Sequence, residues 1–283
     1  MITTDTKILI VGLGLIGGSY ARVLSKKGYR VCAIDTNPDS IDYALGQGLI
    51  EDGKTGPDPA LCGAADLVVF ALYPTTMIDW IRQNQHLFHP GTLLTDVAGV
   101  KCGVLEVIQE FLRPDLEFIG SHPMAGREVY GVRNSDESIF KIANFIVTPT
   151  EKNTPQGIAA ARELGQLLDF HTIVELDPAT HDEMIGFVSQ LTHAIAVSLM
   201  TCNDDQNLQD YTGDSFRDLT RIARINEKMW SELFLLNREV LIRQIDSFTA
   251  ELGRMREMLQ RQDRPALEEM FRHSTRRRAL FDR

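Results

Sequence analysis

Residues 7–17 read KILIVGLGLIG, and they set the fold of everything around them. Lys7–Val11 is a short, continuous apolar run, the pattern of a strand buried on both faces. Gly12-Leu13-Gly14-Leu15-Ile16-Gly17 follows at once, and Leu15–Lys27 carries helical periodicity. A GxGxxG turn alone is a weak signal. Between a strand and a helix it has the context that dinucleotide binding requires. Gly12 allows the tight turn, Gly14 lets the backbone approach a pyrophosphate, and Gly17 lets helix and strand pack closely. The helix start at Leu15 and Ile16 offers free N–H groups and a partial positive charge to the phosphates. Asp35 closes the next strand, Arg30–Ile34. A carboxylate there can bind both ribose hydroxyls of an adenosine and repels a 2′-phosphate. Thr36, Asn37 and Pro38 bring no cation to offset it, so NAD is expected over NADP. The bland alternative is a glycine turn that merely serves a strand–helix junction.

The alternation continues outward. Helix Pro38–Leu45, strand Leu67–Leu72, helix Thr76–Leu87, strand Thr92–Val97 and helix Val100–Leu112 follow in turn. Strands at Glu117–Gly120, Phe145–Thr148 and His171–Val174 come next, the last two flanking a helix at Gln156–Leu168. This pattern predicts an α/β, doubly wound, mainly parallel (Rossmann-type) sheet. Near residue 176 the strand signal stops. Helical patterns cover Ala179–Thr201, Phe216–Ala223, Glu227–Gln260 and Pro265–Leu280. The expected division is a dinucleotide-binding domain over 1–176 and a helical substrate and dimerisation domain over 177–283.

Composition narrows the partners. Of 283 residues, 29 are Lys or Arg and 39 Asp or Glu, a net charge of −10. That is the opposite of the basic footprint of a nucleic-acid binder, and Arg276–Arg278 reads as a solvated helix face. No run of about 18 apolar residues is apparent, so no membrane span is expected, and the N-terminus lacks the pattern of a signal peptide. Four cysteines with no CxxC pair point to a reducing compartment, the cytoplasm, and to no metal site.

A cofactor of this kind needs an acid–base partner. His122 lies in Gly120-Ser121-His122-Pro123-Met124-Ala125-Gly126, directly after an expected strand, where ligand crevices of such sheets form. Its imidazole can take a proton from a hydroxyl while hydride leaves the same carbon. The alternative is a loop histidine that hydrogen-bonds a turn.

Five segments now combine with the glycine turn: VGLGLIGGS at 11–19, TDVAGVK at 95–101, GSHPMAGRE at 120–128, HDEMIGFVSQLTHAIA at 181–196, and FRDLTRIA at 216–223 followed by Met229-Trp230. Together, in this order, they resemble the prephenate/arogenate dehydrogenase family of tyrosine biosynthesis. The resemblance implies an oxidative decarboxylation that gives 4-hydroxyphenylpyruvate, carbon dioxide and NADH. It implies that His122 accepts the ring hydroxyl's proton, that Arg221 holds a substrate carboxylate and that His193 lies near the substrate side chain. It also implies a homodimer built through the helical domain. Arg217, four residues before Arg221, and Arg127 are further candidates for the substrate's negative charge; each reads equally as a surface ion pair. His181 and His193 are twelve residues apart on one expected helix, about 18 Å along it and about 120° around it. His181 with Asp182 therefore reads as ordering the domain junction or the helix start. Many family members carry a serine at the position of Gly99, where it helps bind the ring hydroxyl. Here Ser121 or water is expected in that role, or His122 works alone. Lys101 reads either as a surface lysine or as part of the site's electrostatics, and Glu128 as a carboxylate that pairs with an arginine. The competing readings are an arogenate dehydrogenase, a dehydrogenase of the 3-hydroxyacid type, which would need a lysine that Ala179–Thr201 lacks, and a non-enzymatic NAD-binding sensor.

Overall fold

A computed structural model describes residues 2–281. In chain order the sheet region contains β1 (Lys7–Val11), α1 (Leu15–Lys26), β2 (Arg30–Ile34), α2 (Pro38–Gly46), β3 (Asp52–Lys54), α3 (Pro59–Ala64), β4 (Leu67–Phe70), α4 (Pro74–Asn84), β5 (Leu93–Asp96), α5 (Cys102–Phe111), β6 (Glu117–Pro123), β7 (Asn144–Thr148), α6 (Pro155–Leu167) and β8 (Thr172–Glu175). One sheet holds all eight strands in the order β3-β2-β1-β4-β5-β6-β7-β8. β1 to β6 pair in parallel, β7 runs antiparallel to β6, and β8 is parallel to β7. The doubly wound, mainly parallel sheet is therefore present, with its switch point between β1 and β4.

β1 shows why these strands read as unbroken apolar runs. Ile8 and Ile10 enter one core and Leu9 and Val11 the other, on opposite faces of the sheet. β3 and α3 escape a reading of the sequence because β3 is only Asp-Gly-Lys, too short for a period. Side chains cap several of the helix starts. Asn37, Thr154 and Asp177 each accept a first-turn N–H, with proline next in the chain.

Beyond β8, α7 (Pro178–Ile185) runs through a π-helical stretch, Gly186–Leu191, into α8 (Thr192–Thr201). Then come α9 (Asp214–Thr220), a 3₁₀ turn at Arg221–Ala223, α10 (Glu227–Leu236), α11 (Arg238–Gln260) and α12 (Arg264–Arg278). The single long helix expected over Glu227–Gln260 is broken at Asn237. That side chain is buried and donates to the Asp182 carbonyl at 2.9 Å and to Gln190 Oε1 at 2.8 Å.

The chain divides after Asn237 into two compact units. The first holds the sheet and α1–α10. The second is the pair α11 and α12, which leaves Ile242, Ile245, Phe248, Leu252, Leu259 and Phe271 exposed. Against the expectation that no stretch is apolar enough, Pro178–Thr201 has the length and composition to cross a membrane. In the fold, however, it carries His181, Asp182 and Gln190 into buried hydrogen bonds, as a site-forming helix does.

Candidate active site

A cavity of about 640 Å³ opens where the parallel strands end. Its walls are the glycine turn, the segments after β4 (Ala71–Tyr73) and β5 (Val97–Gly99), the end of β6 with the segment beyond it (His122–Gly131), and side chains from the helical region as far as Leu233.

The glycine turn fits a dinucleotide. Gly12 sits at φ +102°, and a Cβ there would lie 2.5 Å from the Ala71 carbonyl oxygen. A Cβ on Gly17 would lie 1.9 Å from the carbonyl oxygen of Gly12, so no side chain fits between helix and strand. At Gly14 nothing lies within 4 Å, which leaves open space for a phosphate at the start of α1. Gly14, Leu15, Ile16 and Gly17 line the cavity; Gly12 stands behind them. Asp35 follows β2, and its carboxylate accepts the Leu13 N–H at 2.6 Å and the Asn37 N–H at 2.8 Å. A carboxylate has about four acceptor positions, so two remain for ribose hydroxyls.

His122 sits within β6 itself rather than in the loop after it. Its Nδ1 lies 2.9 Å from His181 Nε2, and His181 Nδ1 lies 2.7 Å from Asp182 Oδ1. Asp182 Oδ1 also accepts the Lys101 N–H and Oδ2 the Cys102 N–H, both at 2.8 Å, which anchors the carboxylate to the first turn of α5. These contacts determine the proton positions. An ionised carboxylate only accepts, so His181 carries its proton on Nδ1 and accepts through Nε2. His122 must then donate from Nδ1, which leaves Nε2 as a bare lone pair. That nitrogen borders the cavity, 3.8 Å from where a Cβ on Gly99 would stand.

The pKa directions agree with this assignment. Burial pushes His122 well below the ordinary histidine range, and the neighbouring His181 and Lys101 push the same way. Burial also lowers His181, although its bond to Asp182 opposes the shift. Burial alone would raise Asp182, but hydrogen bonds from His181, Cys102 and Lys101 hold it below the usual carboxylate value. Both histidines are thus neutral in the fold, whereas in the unfolded chain they titrate near pH 6.5. The unfolded state takes up protons first, so stability is complete above about pH 6.5 and is lost as pH falls from there towards the folded values. Thermal melts between pH 8 and 5 should show Tm declining below about 6.5; a flat Tm over that window would contradict the neutral pair.

The strand's period of two corrects one candidate. Ser121 precedes His122 in β6 and so faces away from the cavity. Its hydroxyl donates to the Asp96 carbonyl at 2.6 Å and lies 3.0 Å from Thr95 Oγ1, fully buried, so it does not replace a serine at Gly99. Lys101 is not a surface lysine. It is fully buried, with Nζ 2.6 Å from Asp96 Oδ2 and 2.7 Å from the Ser121 carbonyl. Burial lowers its pKa and Asp96 offsets the shift. This pair clamps β6 immediately before His122.

The other candidates separate. Arg221 lines the cavity and donates to Glu128, which is also in the wall. Arg127 lines it too, held by Asp136 at 2.9 Å and Ser138 at 3.2 Å. Arg217 is not brought into the cavity wall; it is exposed and bonds Asp214 and the Thr212 carbonyl. His193 lines the cavity, stacked on Trp230 with ring centroids 3.7 Å apart and Nδ1 donating to the Ser189 carbonyl at 2.9 Å. The sequence reading missed the contact between His181 and His122, and it missed Arg224, a further cation on the wall. The first is a contact between residues 59 apart in the chain, which no local spacing carries.

Comparison with known proteins accords with this arrangement. Residues 20–174 match the family model for the nucleotide-binding domain of prephenate dehydrogenase, and residues 177–273 match the model for its dimerization domain. The chain is 30% identical over 277 residues to a prephenate dehydrogenase of Bacillus subtilis, spanning 94% of this chain and 72% of that one. It is 28% identical over 290 residues to a cyclohexadienyl dehydrogenase of Zymomonas mobilis, spanning 98% and 96%. The crystal structure of the A. aeolicus prephenate dehydrogenase in complex with hydroxyphenyl propionate and NAD+ superimposes with a TM-score of 0.89 at 28% identity, over 98% of both chains. With both family models matched in order along the sequence, this chain belongs to the prephenate dehydrogenase family.

Proposed function

We propose that this chain is an NAD-dependent prephenate dehydrogenase, forming 4-hydroxyphenylpyruvate, carbon dioxide and NADH. The observation that carries the reading is the bare Nε2 of His122, fixed on the wall of the cavity that the dinucleotide cradle and the arginines also line. NAD, when bound, supplies the hydride acceptor. The start of α1 holds its phosphates and Asp35 its ribose. His122 takes the ring hydroxyl's proton at Nε2 as hydride departs from the same carbon, and the ring carboxylate leaves as carbon dioxide while the ring becomes aromatic. Aromatisation supplies the driving force, so the protein's work is positioning and one proton transfer. Prephenate is a dianion and the protein is net negative, so local cations must reverse the field. Arg221 takes a substrate carboxylate in place of Glu128 through two parallel hydrogen bonds. Arg127 adds charge, and His193 on Trp230 borders the side chain.

One observation favours a second reading. Glu128 is a carboxylate in the cavity wall and can accept from the side-chain ammonium of arogenate. Absorbance of reduced nicotinamide, with prephenate or arogenate and NAD or NADP, separates the readings. Turnover of prephenate with NAD is the expected result. Arogenate alone would change the substrate, and no turnover in protein that binds NADH would favour a sensor.

The assembly we propose is a homodimer, supported by the match of residues 177–273 to a dimerization domain. The proposed division into functional domains falls at 176/177, between the two matched segments. A cytoplasmic setting accords with the free cysteines.

Gly99 gives a further test. The atoms nearest to a Cβ there are those of Leu233, at 3.5 Å, and His122 Nε2, at 3.8 Å, ordinary contacts. Gly99→Ser should fold with an unchanged Tm and place a hydroxyl beside Nε2. KM for prephenate is expected to fall about threefold or more, the scale of one hydrogen bond. A rise in KM would show that the space is needed by the substrate itself.

A further inference from the structure

We infer that Arg224 is the counter-charge for the cofactor's diphosphate, brought to the cavity by the helical region; this rests on the NAD reading above. The wall carries Arg127, Arg221 and Arg224. Asp136 holds the first and Glu128 the second. Arg224 is exposed on the wall and, among the described residues, makes no hydrogen bond or ion pair.

Its neighbours place it at the phosphate end. Asn226, two residues on, donates Nδ2 to the Tyr73 hydroxyl at 3.0 Å. Tyr73 ends the segment Ala71–Tyr73, and Ala71 abuts the glycine turn. Its Cβ would lie 3.1 Å from a Cβ on Gly17, and its carbonyl oxygen is the atom that excludes a side chain at Gly12. The backbone beside Arg224 is therefore tied to the loop that adjoins the pyrophosphate cradle. Arg221, at the other end of the 3₁₀ turn, is tied to Glu128 in the segment after β6. One short turn thus presents two arginines to the cavity, Arg221 tied to Glu128 and Arg224 with no partner among the described residues.

The charge balance favours such a group. A diphosphate carries two negative charges, and a helix N-terminus supplies about half a positive one. The glycine turn contains no lysine or arginine, and the first basic residue of α1, Arg22, is engaged with Ser135. An arginine supplies that charge at any pH, and a point charge beside the diphosphate is enough for it to act. Cofactor binding would then fix the turn from which Arg221 reaches the substrate, so that the two ligands bind with mutual support.

The test is NADH and ADP-ribose binding by calorimetry to wild type, Arg224→Gln and Arg224→Lys in the full chain. ADP-ribose keeps the diphosphate and lacks the nicotinamide. Arg224→Gln is expected to weaken both ligands about tenfold or more at low salt, with the gap shrinking as salt rises. Arg224→Lys should stay within about threefold, and Tm should not move. Weakening of NADH with ADP-ribose unaffected would put Arg224 at the nicotinamide end and overturn the inference. So would unchanged binding of both ligands, whether or not KM for prephenate rises. Failure of the wild type to bind NADH would remove the cofactor reading itself, a result distinct from any difference between variants.

Discussion

Replacing His122 by glutamine is expected to lower kcat about 10³-fold while the dissociation constant for NADH stays within a factor of about three. Glutamine keeps a polar group on β6 but cannot take up a proton near neutral pH. Nothing else on the wall is equally placed. Glu128 is engaged by Arg221, and His193 donates to Ser189 from one nitrogen while its ring lies flat on Trp230. The pH profile of the wild type adds a second readout. The base must be unprotonated, and burial lowers His122. The acid limb of kcat/KM should therefore lie below the ordinary histidine value of about 6.5, with the rate falling as pH drops through it. A variant that retains near wild-type kcat would sink the assignment of His122, and loss of activity in His193→Gln with His122→Gln active would transfer it.

Asp182→Asn should lower kcat about 10²-fold and reduce Tm by several degrees, although residue 182 does not line the cavity. Its two oxygens accept three N–H groups: Lys101 and His181 on one, Cys102 on the other. A carboxamide has a single oxygen. In one orientation its NH₂ faces the Cys102 N–H. In the other it faces Lys101 and His181, which drives His181 to the opposite tautomer, and His122 then carries its proton on Nε2. An unmatched buried donor costs about 1–3 kcal/mol, which in a chain of this size corresponds to several degrees in Tm. The same change of tautomer removes the base. Chemistry should suffer more than affinity, so a rise in KM with kcat unchanged would show that Asp182 acts on binding instead. Unaltered kcat together with a lowered Tm would reduce Asp182 to a cap for α5.

Why some of this was legible in the sequence and some was not follows from the range of each interaction. The glycine turn, Asp35 and the apolar strands are local or periodic, so spacing alone carries them. His122 was visible because it stands at the C-terminal end of a strand in a sheet of known logic. Ser121 was misplaced because a loop was expected where β6 continues to Pro123, and one residue along a strand reverses the face. Lys101 stayed open between a surface lysine and part of the site's electrostatics because its partners, Asp96 and the Ser121 carbonyl, meet only when β5 and β6 pair. Arg217 and Arg221 share a helical spacing, yet α9 ends at Thr220 and Arg221 begins the 3₁₀ turn. The common face that spacing implied is therefore lost, and only Arg221 reaches the wall. Arg224 carries no motif; its place emerges from the contact of Asn226 with Tyr73, far away in the sequence.

The π-helical stretch Gly186–Leu191 makes the helix between His181 and His193 a matter of counting. A π turn closes its hydrogen bond one residue later than an α turn, so the chain here holds a supernumerary residue. Because a π turn also rotates less per residue, the six residues Gly186–Leu191 sweep roughly the angle of five on a regular helix. Deleting one of them, such as the exposed Val188, would allow an uninterrupted α-helix and leave His181 and His193 nearly in their present phase. The same deletion in α7 or α8 would turn all that follows by about 100°. The tolerance of this helix to a change of length is therefore confined to one stretch.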